Sequence, residues 1–239
     1  MTEALWTTVD RYITDMLVPA DAALDGALEA SDAAGLPPIQ VTPNQGKLLH
    51  LLARLQGARR ILEIGTLGGY STIWFARALP EGSRLITIES EPRHADVARA
   101  NISRAGLTGL VDLRVGRGLE VLPQIAAEGG GAFDLTFIDA DKQSIPEYFS
   151  FARKLSRRGS LIIVDNVVRD GRVIDATSRD PDIQGIRRFN EMLAAEPGVC
   201  ATAIQTVGAK GHDGFAIVLV TENNERGLQQ CQFEFLLPP

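Results

Sequence analysis

Cysteine is nearly absent from this chain: two of 239 residues, Cys200 and Cys231, stand at no CxxC spacing. That excludes a disulfide framework and a thiolate zinc site, and it fits a reducing, cytoplasmic compartment. The three histidines, His50, His94 and His212, are too far apart to show a zinc-ligand spacing. A surplus of positive charge is missing as well: 24 Lys and Arg face 30 Asp and Glu, for a formal charge of -6. A nucleic-acid backbone is therefore not an expected partner, whereas small molecules are. No segment reaches about 18 uninterrupted apolar residues, and the N-terminal MTEALWTTVDRYITDML has no basic lead into an apolar run; neither a membrane span nor a secretory leader is expected. Internal repeats and low-complexity tracts are also lacking.

What is present is a chain that is 45% hydrophobic and long enough for one large α/β domain over residues 1–239. Within it we expect an N-terminal helical segment (1–40), a core (41–221) and a tail (222–239) whose apolar groups dock on the core or on a partner. Leu5, Val9, Tyr12, Ile13 and Leu17 recur at helical spacing, as do Leu24 and Leu28, before Gly35, Pro37 and Pro38 break the pattern. Thr42 before Pro43 reads as an N-cap with proline at the first helical position, opening a helix that stops at Gly57. Strands are then expected at 60–64, 85–88, 111–115, 135–138 and 161–164. Helices from about Ser71, Pro92, Leu119 and Ile145 lie between them, the rhythm of a Rossmann-like doubly wound, mostly parallel sheet. A helix at 183–193 and two strands, 201–207 and 215–220, around a glycine-rich loop at 208–214 depart from that rhythm. They place one antiparallel strand near the sheet edge.

Two features carry chemistry. After the first strand, EIGTLGGYST (63–72) supplies Gly65, Gly68 and Gly69 and then hydroxyls opening a helix, a site for an anionic group at a helix N-terminus. Glu89 ends the next strand, where an acid holds a ribose diol. The GxxGG spacing departs from the GxGxxG of dinucleotide sites, so a nucleoside such as S-adenosylmethionine (SAM) fits better; the bland reading is a tight turn. The second feature is FDLTFIDADK (133–142) followed by LIIVDN (161–166): two apolar runs that end in carboxylates, at the strand edge where open sheets bind ligands. Asp139, Asp165 and Asn166 form an incomplete oxygen set suited to magnesium, unless the aspartates merely cap the turns that follow. Lys142, three residues beyond Asp139, suits a general base or else is a solvated lysine.

Taken in order, EIGTLGGYST, ITIES, FIDADK, VDNV, DPDIQGIRRFNEML (180–193) and KGHDGFAIVLV (210–220) resemble the cation-dependent class I O-methyltransferases, the group of caffeoyl-CoA and catechol O-methyltransferases. The resemblance covers roughly residues 41–220. It implies a seven-stranded sheet, SAM as methyl donor, a divalent cation (magnesium, with calcium or manganese as alternatives), a phenolic small molecule as acceptor and a homodimer. It also implies that Asp139, Asp165 and Asn166 bind the metal and that Lys142 takes the phenolic proton. Val41, Glu63, Gly65, Thr66, Ser71, Glu89, Gly118 and Asp139 would line the cofactor. Asp170 stands where plant enzymes of the group carry an asparagine near the substrate, and Arg117 and Gly118 depart from the residues common before the adenine contacts. Two other readings remain at this point: a SAM-binding protein without catalysis, and a nucleotide-linked oxidoreductase.

Overall fold

The computed structural model describes residues 2–222. The chain opens with three helices, α1 (Glu3–Leu17), α2 (Ala22–Ala33) and α3 (Pro43–Leu55). Strands and helices then alternate through β1 (Arg60–Ile64), α4 (Tyr70–Ala78), β2 (Arg84–Glu89), α5 (Pro92–Arg104), β3 (Val111–Val115), α6 (Gly118–Ala127), β4 (Phe133–Ile138), α7 (Ile145–Lys154) and β5 (Ser156–Asp165). Helix α8 (Pro181–Ala195) leads to the last pair, β6 (Val199–Gly208) and β7 (Gly211–Val220). Among the described residues no helix is long and apolar enough to cross a membrane.

The seven strands pair in the order β3-β2-β1-β4-β5-β7-β6, with β7 antiparallel to both of its neighbours. The chain winds outward from β1 in one direction and from β4 in the other, so the carboxyl ends of these two strands flank the switch point where such sheets open a crevice. Strand β4 is buried along its whole length, and alternate residues face opposite layers. Leu135 and Phe137 join Ile61, Ile73, Phe75 and Ile163 beneath α3, α4 and α5; Ile138 joins Leu62, Leu122, Phe149, Ile162 and Phe189 beneath α6, α7 and α8. Burial of side chains this size contributes about 1.5–3 kcal/mol each, which is why both faces of the central strands are apolar.

Caps set the entry points. Thr42 Oγ1 accepts the Gln45 N–H at 3.2 Å with Pro43 at the first helical position, as expected. Asp21 accepts the N–H groups of Ala23 and Leu24 at 3.0 Å and also binds both terminal nitrogens of Arg77, tying α2 to α4.

Two expectations change. The strand expected at 161–164 begins at Ser156, because Ser160 Oγ donates to Phe133 O (2.7 Å) and accepts from Arg157 N (2.9 Å), holding a polar half-strand beside β4 across a register shift. The loop expected at 208–214 is mostly strand: β6 and β7 stay paired up to Gly208 and Gly211, and Ala209 and Lys210 alone make the turn. Its glycines serve close approach, since a Cβ on Gly214 would lie 2.2 Å from Ile204 O. Helix α1 has the expected period but no buried residue; Tyr12 and Leu17 are 65% and 67% exposed. Of the tail expected at 222–239, all but Glu222 lies outside the described residues.

Candidate active site

A cavity of about 1100 Å³ opens at the switch point. Its wall begins at Gly65, where the chain leaves β1 with φ +100°. A Cβ there would sit 2.0 Å from Asp139 O, so only glycine lets the loop pass this close to the end of β4. Asp139 N in turn donates to Ile64 O at 2.9 Å, locking the two strand ends together. Gly69, at φ +83°, turns the chain into α4.

Glu89, at the end of β2, holds this loop. Its Oε2 accepts from Thr66 N (3.2 Å) and Leu67 N (2.7 Å) and its Oε1 from Glu91 N (3.0 Å), with His94 Nδ1 at 3.6 Å. Glu89, Thr66, Ser71, Val41 and Gly118 all line the cavity. Glu63 stands behind the wall instead, fully buried, accepting hydroxyl donors from Ser71 (2.7 Å), Thr72 and Thr87 (2.7 Å). Desolvation outweighs those donors and pushes the Glu63 carboxyl up to about 7. With its proton given to Glu63, the Ser71 oxygen faces the cavity as an acceptor. On the far wall a Cβ on Gly118 would lie 2.7 Å from the Tyr148 ring, whose hydroxyl donates to Asp141 Oδ1 at 2.5 Å. Burial, and then Asp141, raise the Tyr148 phenol above its ordinary range, so it remains a donor.

At the floor, Lys142 Nζ donates to Asp139 Oδ1 at 2.7 Å, and both side chains are largely covered. Asp165 is buried at the end of β5, accepting from Gln45 Nε2 (2.6 Å) and Asn166 N (2.8 Å). Its carboxyl is raised, first by burial and then by the charge of Asp139, against the opposing pull of Lys142. Two carboxylates with an amide beside them make a hard oxygen set on the cavity, and a divalent cation would fit it. Among the described residues no three His, Cys, Asp or Glu side chains gather closely enough to hold a metal by themselves, so a cation here would need the amide and outside oxygens to complete its shell.

The structure brings Asp139, Lys142, Asp165 and Asn166 onto one cavity with the glycine loop. Asp170 is exposed and outside the lining; consecutive left-handed residues, Arg169 (φ +52°) and Asp170 (φ +56°), turn Arg169 inward instead. Sequence reasoning missed Gln45, Arg169 and Asp213. Gln45 lies 120 residues from the carboxylate it bonds, a pairing no local pattern reveals. Asp213 had a signal, the charged residue between glycines in KGHDG.

A doubly wound sheet with a glycine loop, a strand-end acid and a carboxylate floor defines a class of group-transfer enzymes with a nucleoside-type pocket. Comparison with known proteins makes this specific: the O-methyltransferase family model matches residues 18–219, and the chain belongs to that family. A catechol O-methyltransferase of Niastella koreensis is 54% identical over 220 residues, covering 92% of this chain and all of the relative. Among solved structures, an O-methyltransferase from Bacillus cereus in complex with SAH superposes with a TM-score of 0.91 at 56% identity, over 92% of this chain and 100% of the other. TomG, an O-methyltransferase from Streptomyces achromogenes involved in tomaymycin synthesis, was solved with SAM and superposes with a TM-score of 0.90 at 52% identity, over 92% and 99%. The protein is an O-methyltransferase.

Proposed function

We propose that this enzyme transfers the methyl group of SAM to one hydroxyl of a vicinal diol on an aromatic ring, with a divalent cation, magnesium foremost, held by Asp139, Asp165 and Asn166. The observation that carries the reading is the floor of the cavity: Lys142 on Asp139, beside the buried Asp165 and Asn166, in the same space as the Gly65 loop and Glu89. The Niastella koreensis relative, named a catechol O-methyltransferase, supports the diol, and the bound SAM and SAH of the solved relatives support the donor.

Glu89 keeps a lone pair on Oε1 for a ribose hydroxyl while it braces the loop, and Ser71 offers an acceptor to the ammonium of the donor's amino-acid end. A bound cation would supply Lewis acidity to the diol oxygens and compete with Lys142 Nζ for the Asp139 carboxylate. Lys142 Nζ, as the free amine, accepts the proton of the attacking hydroxyl. The acceptor oxygen then forms its bond to the methyl carbon as the carbon–sulfur bond breaks, leaving the sulfonium a neutral thioether. The walls hold acceptor and donor together, which converts a bimolecular encounter into a positioned one.

A homodimer belongs to the same proposal. Helix α1 exposes Leu5, Val9, Tyr12, Met16 and Leu17, and the neighbouring edge strand β6 exposes Ile204 and Val207 and carries no charged residue. An uncharged edge of ten residues calls for a cover. We place the whole as one catalytic domain acting in the cytoplasm. The deciding experiment is incubation with labelled SAM, a panel of catechols and lone phenols, and magnesium, calcium or manganese, with products read by mass and regiochemistry. Transfer to catechols that EDTA abolishes is expected; full, EDTA-insensitive transfer by Asp165→Ala would refute the metal reading.

A further inference from the structure

Where β5 ends, the backbone takes conformations that ordinary side chains avoid. Asn166, Arg169 and Asp170 have φ of +61°, +52° and +56°, three left-handed non-glycine residues within five positions. Such conformations persist only where the surroundings over-determine them. The surroundings here are three consecutive residues of β7. Gly214 O accepts from Val167 N at 3.0 Å and His212 O from Asp170 N at 2.9 Å. Between them, Asp213 Oδ1 accepts from Val168 N (3.1 Å), Arg169 N (2.9 Å) and Gly214 N (3.0 Å), and Asp213 Oδ2 accepts from Asn166 Nδ2 at 3.2 Å. Gly214 permits this approach, since a Cβ there would lie 2.8 Å from Val168 Cγ2.

We infer that Asp213 is a positioning residue of the site: it holds the loop after β5 in its left-handed path and fixes the Asn166 amide so that its oxygen faces the cavity. The second role follows from donor and acceptor chemistry. An ionised carboxylate only accepts, so the end of the amide that meets Asp213 has to be the NH2. The carbonyl oxygen is then the end left for the cavity, which Asn166 lines, and among the described residues no donor bonds it. A neutral amide at position 213 keeps its oxygen on the three backbone N–H donors and turns its NH2 toward Asn166, which then has to present its carbonyl inward and its NH2 to the cavity. Asp213 touches neither donor nor acceptor in this account; it acts through Asn166. The inference rests on the cation reading of Asp139, Asp165 and Asn166.

The test measures Mn²⁺ affinity by electron paramagnetic resonance and SAM affinity by calorimetry, together with Tm, in the wild type, Asp213→Asn and the reciprocal double variant Asn166→Asp/Asp213→Asn. In the double variant donor and acceptor exchange places and an oxygen again faces the cavity. Asp213→Asn is expected to weaken Mn²⁺ binding by about 10- to 100-fold, as loss of a partner behind a metal ligand does, with SAM affinity held, and the double variant is expected to recover most of it. Unchanged Mn²⁺ binding in Asp213→Asn overturns the inference while leaving the cation reading intact. So does a parallel loss of Mn²⁺ binding, SAM binding and Tm that the double variant fails to restore. If Asp213→Asn does not fold, the double variant decides: recovered folding and Mn²⁺ binding support the role, and their absence overturns it. A wild type that binds no Mn²⁺ overturns the cation reading and this inference with it.

Discussion

The amine of Lys142 and the missing Cβ of Gly65 are the two atoms-level features on which the site depends most. Lys142→Met keeps the length of the side chain and removes the proposed base. We expect kcat to fall by about 10²- to 10⁴-fold with SAM affinity preserved, read by steady-state kinetics and calorimetry; loss of SAM binding of the same size would make the residue a binding group instead. Gly65→Ala confronts a carbonyl at 2.0 Å with a φ of +100°, whereas Gly106→Ala, at φ +73°, meets nothing within 4 Å. The first should cost well over the roughly 1 kcal/mol of left-handed strain expected for the second, seen as a larger fall in Tm and, for Gly65 alone, as weaker SAM binding. The places of Asp139 and Asp165 on the cavity were legible in the sequence because carboxylates that end apolar strands stand out against their neighbours, and Lys142 followed from its spacing three residues beyond Asp139. Gln45 and Asp213 were not, since what they do depends on bonds across 120 and 47 residues that only the folded chain creates.

Among the elements, β1, β2 and α4 are joined by one buried acid. Glu63 takes hydroxyl donors from both α4 and β2, and its folded-state pKa of about 7 lies above the ordinary 4.5. A raised pKa means that the fold favours the proton: this contribution is full below about 4.5 and is lost as pH rises through about 7. Glu63→Gln cannot ionise. Urea unfolding at pH 5 and pH 8, without divalent cations, should therefore show the wild type losing on the order of 3 kcal/mol more than the variant across that interval. Equal losses would mean that Glu63 is not the group that titrates. Strand and helix positions were readable here because period and turn residues agree along the parallel half. The β6–β7 hairpin was legible but its loop was drawn too long for a physical reason: Gly208, Gly211 and Gly214 lie in a strand pair where backbones approach closely, and composition alone does not separate that use of glycine from a loop.

For the whole molecule, the exposed apolar stripe of α1 and the uncharged edge of β6 lie side by side, joined where Asp10 Oδ2 accepts the Ala209 N–H at 3.0 Å. Light scattering after size exclusion should give twice the chain mass for the wild type and the single-chain mass for Tyr12→Glu/Val207→Glu, with the melting transition of the monomer intact. A wild type already at single-chain mass would dismiss the dimer.

The insertion of β7 between β5 and β6 also has a meaning in time. Synthesis runs from β1 to β5 before β7 exists, so a nascent chain can pair its parallel strands while one side of β5 still lacks its neighbour, and that long-range pairing is the slow kind. Asp213 emerges with β7, long after Asp165 and Asn166. The glycine-loop side of the cavity can thus take shape early on the ribosome, whereas the floor proposed to activate the hydroxyl waits for the late hairpin to slot in, and a truncated or stalled product would keep the donor side of the pocket without that proposed floor.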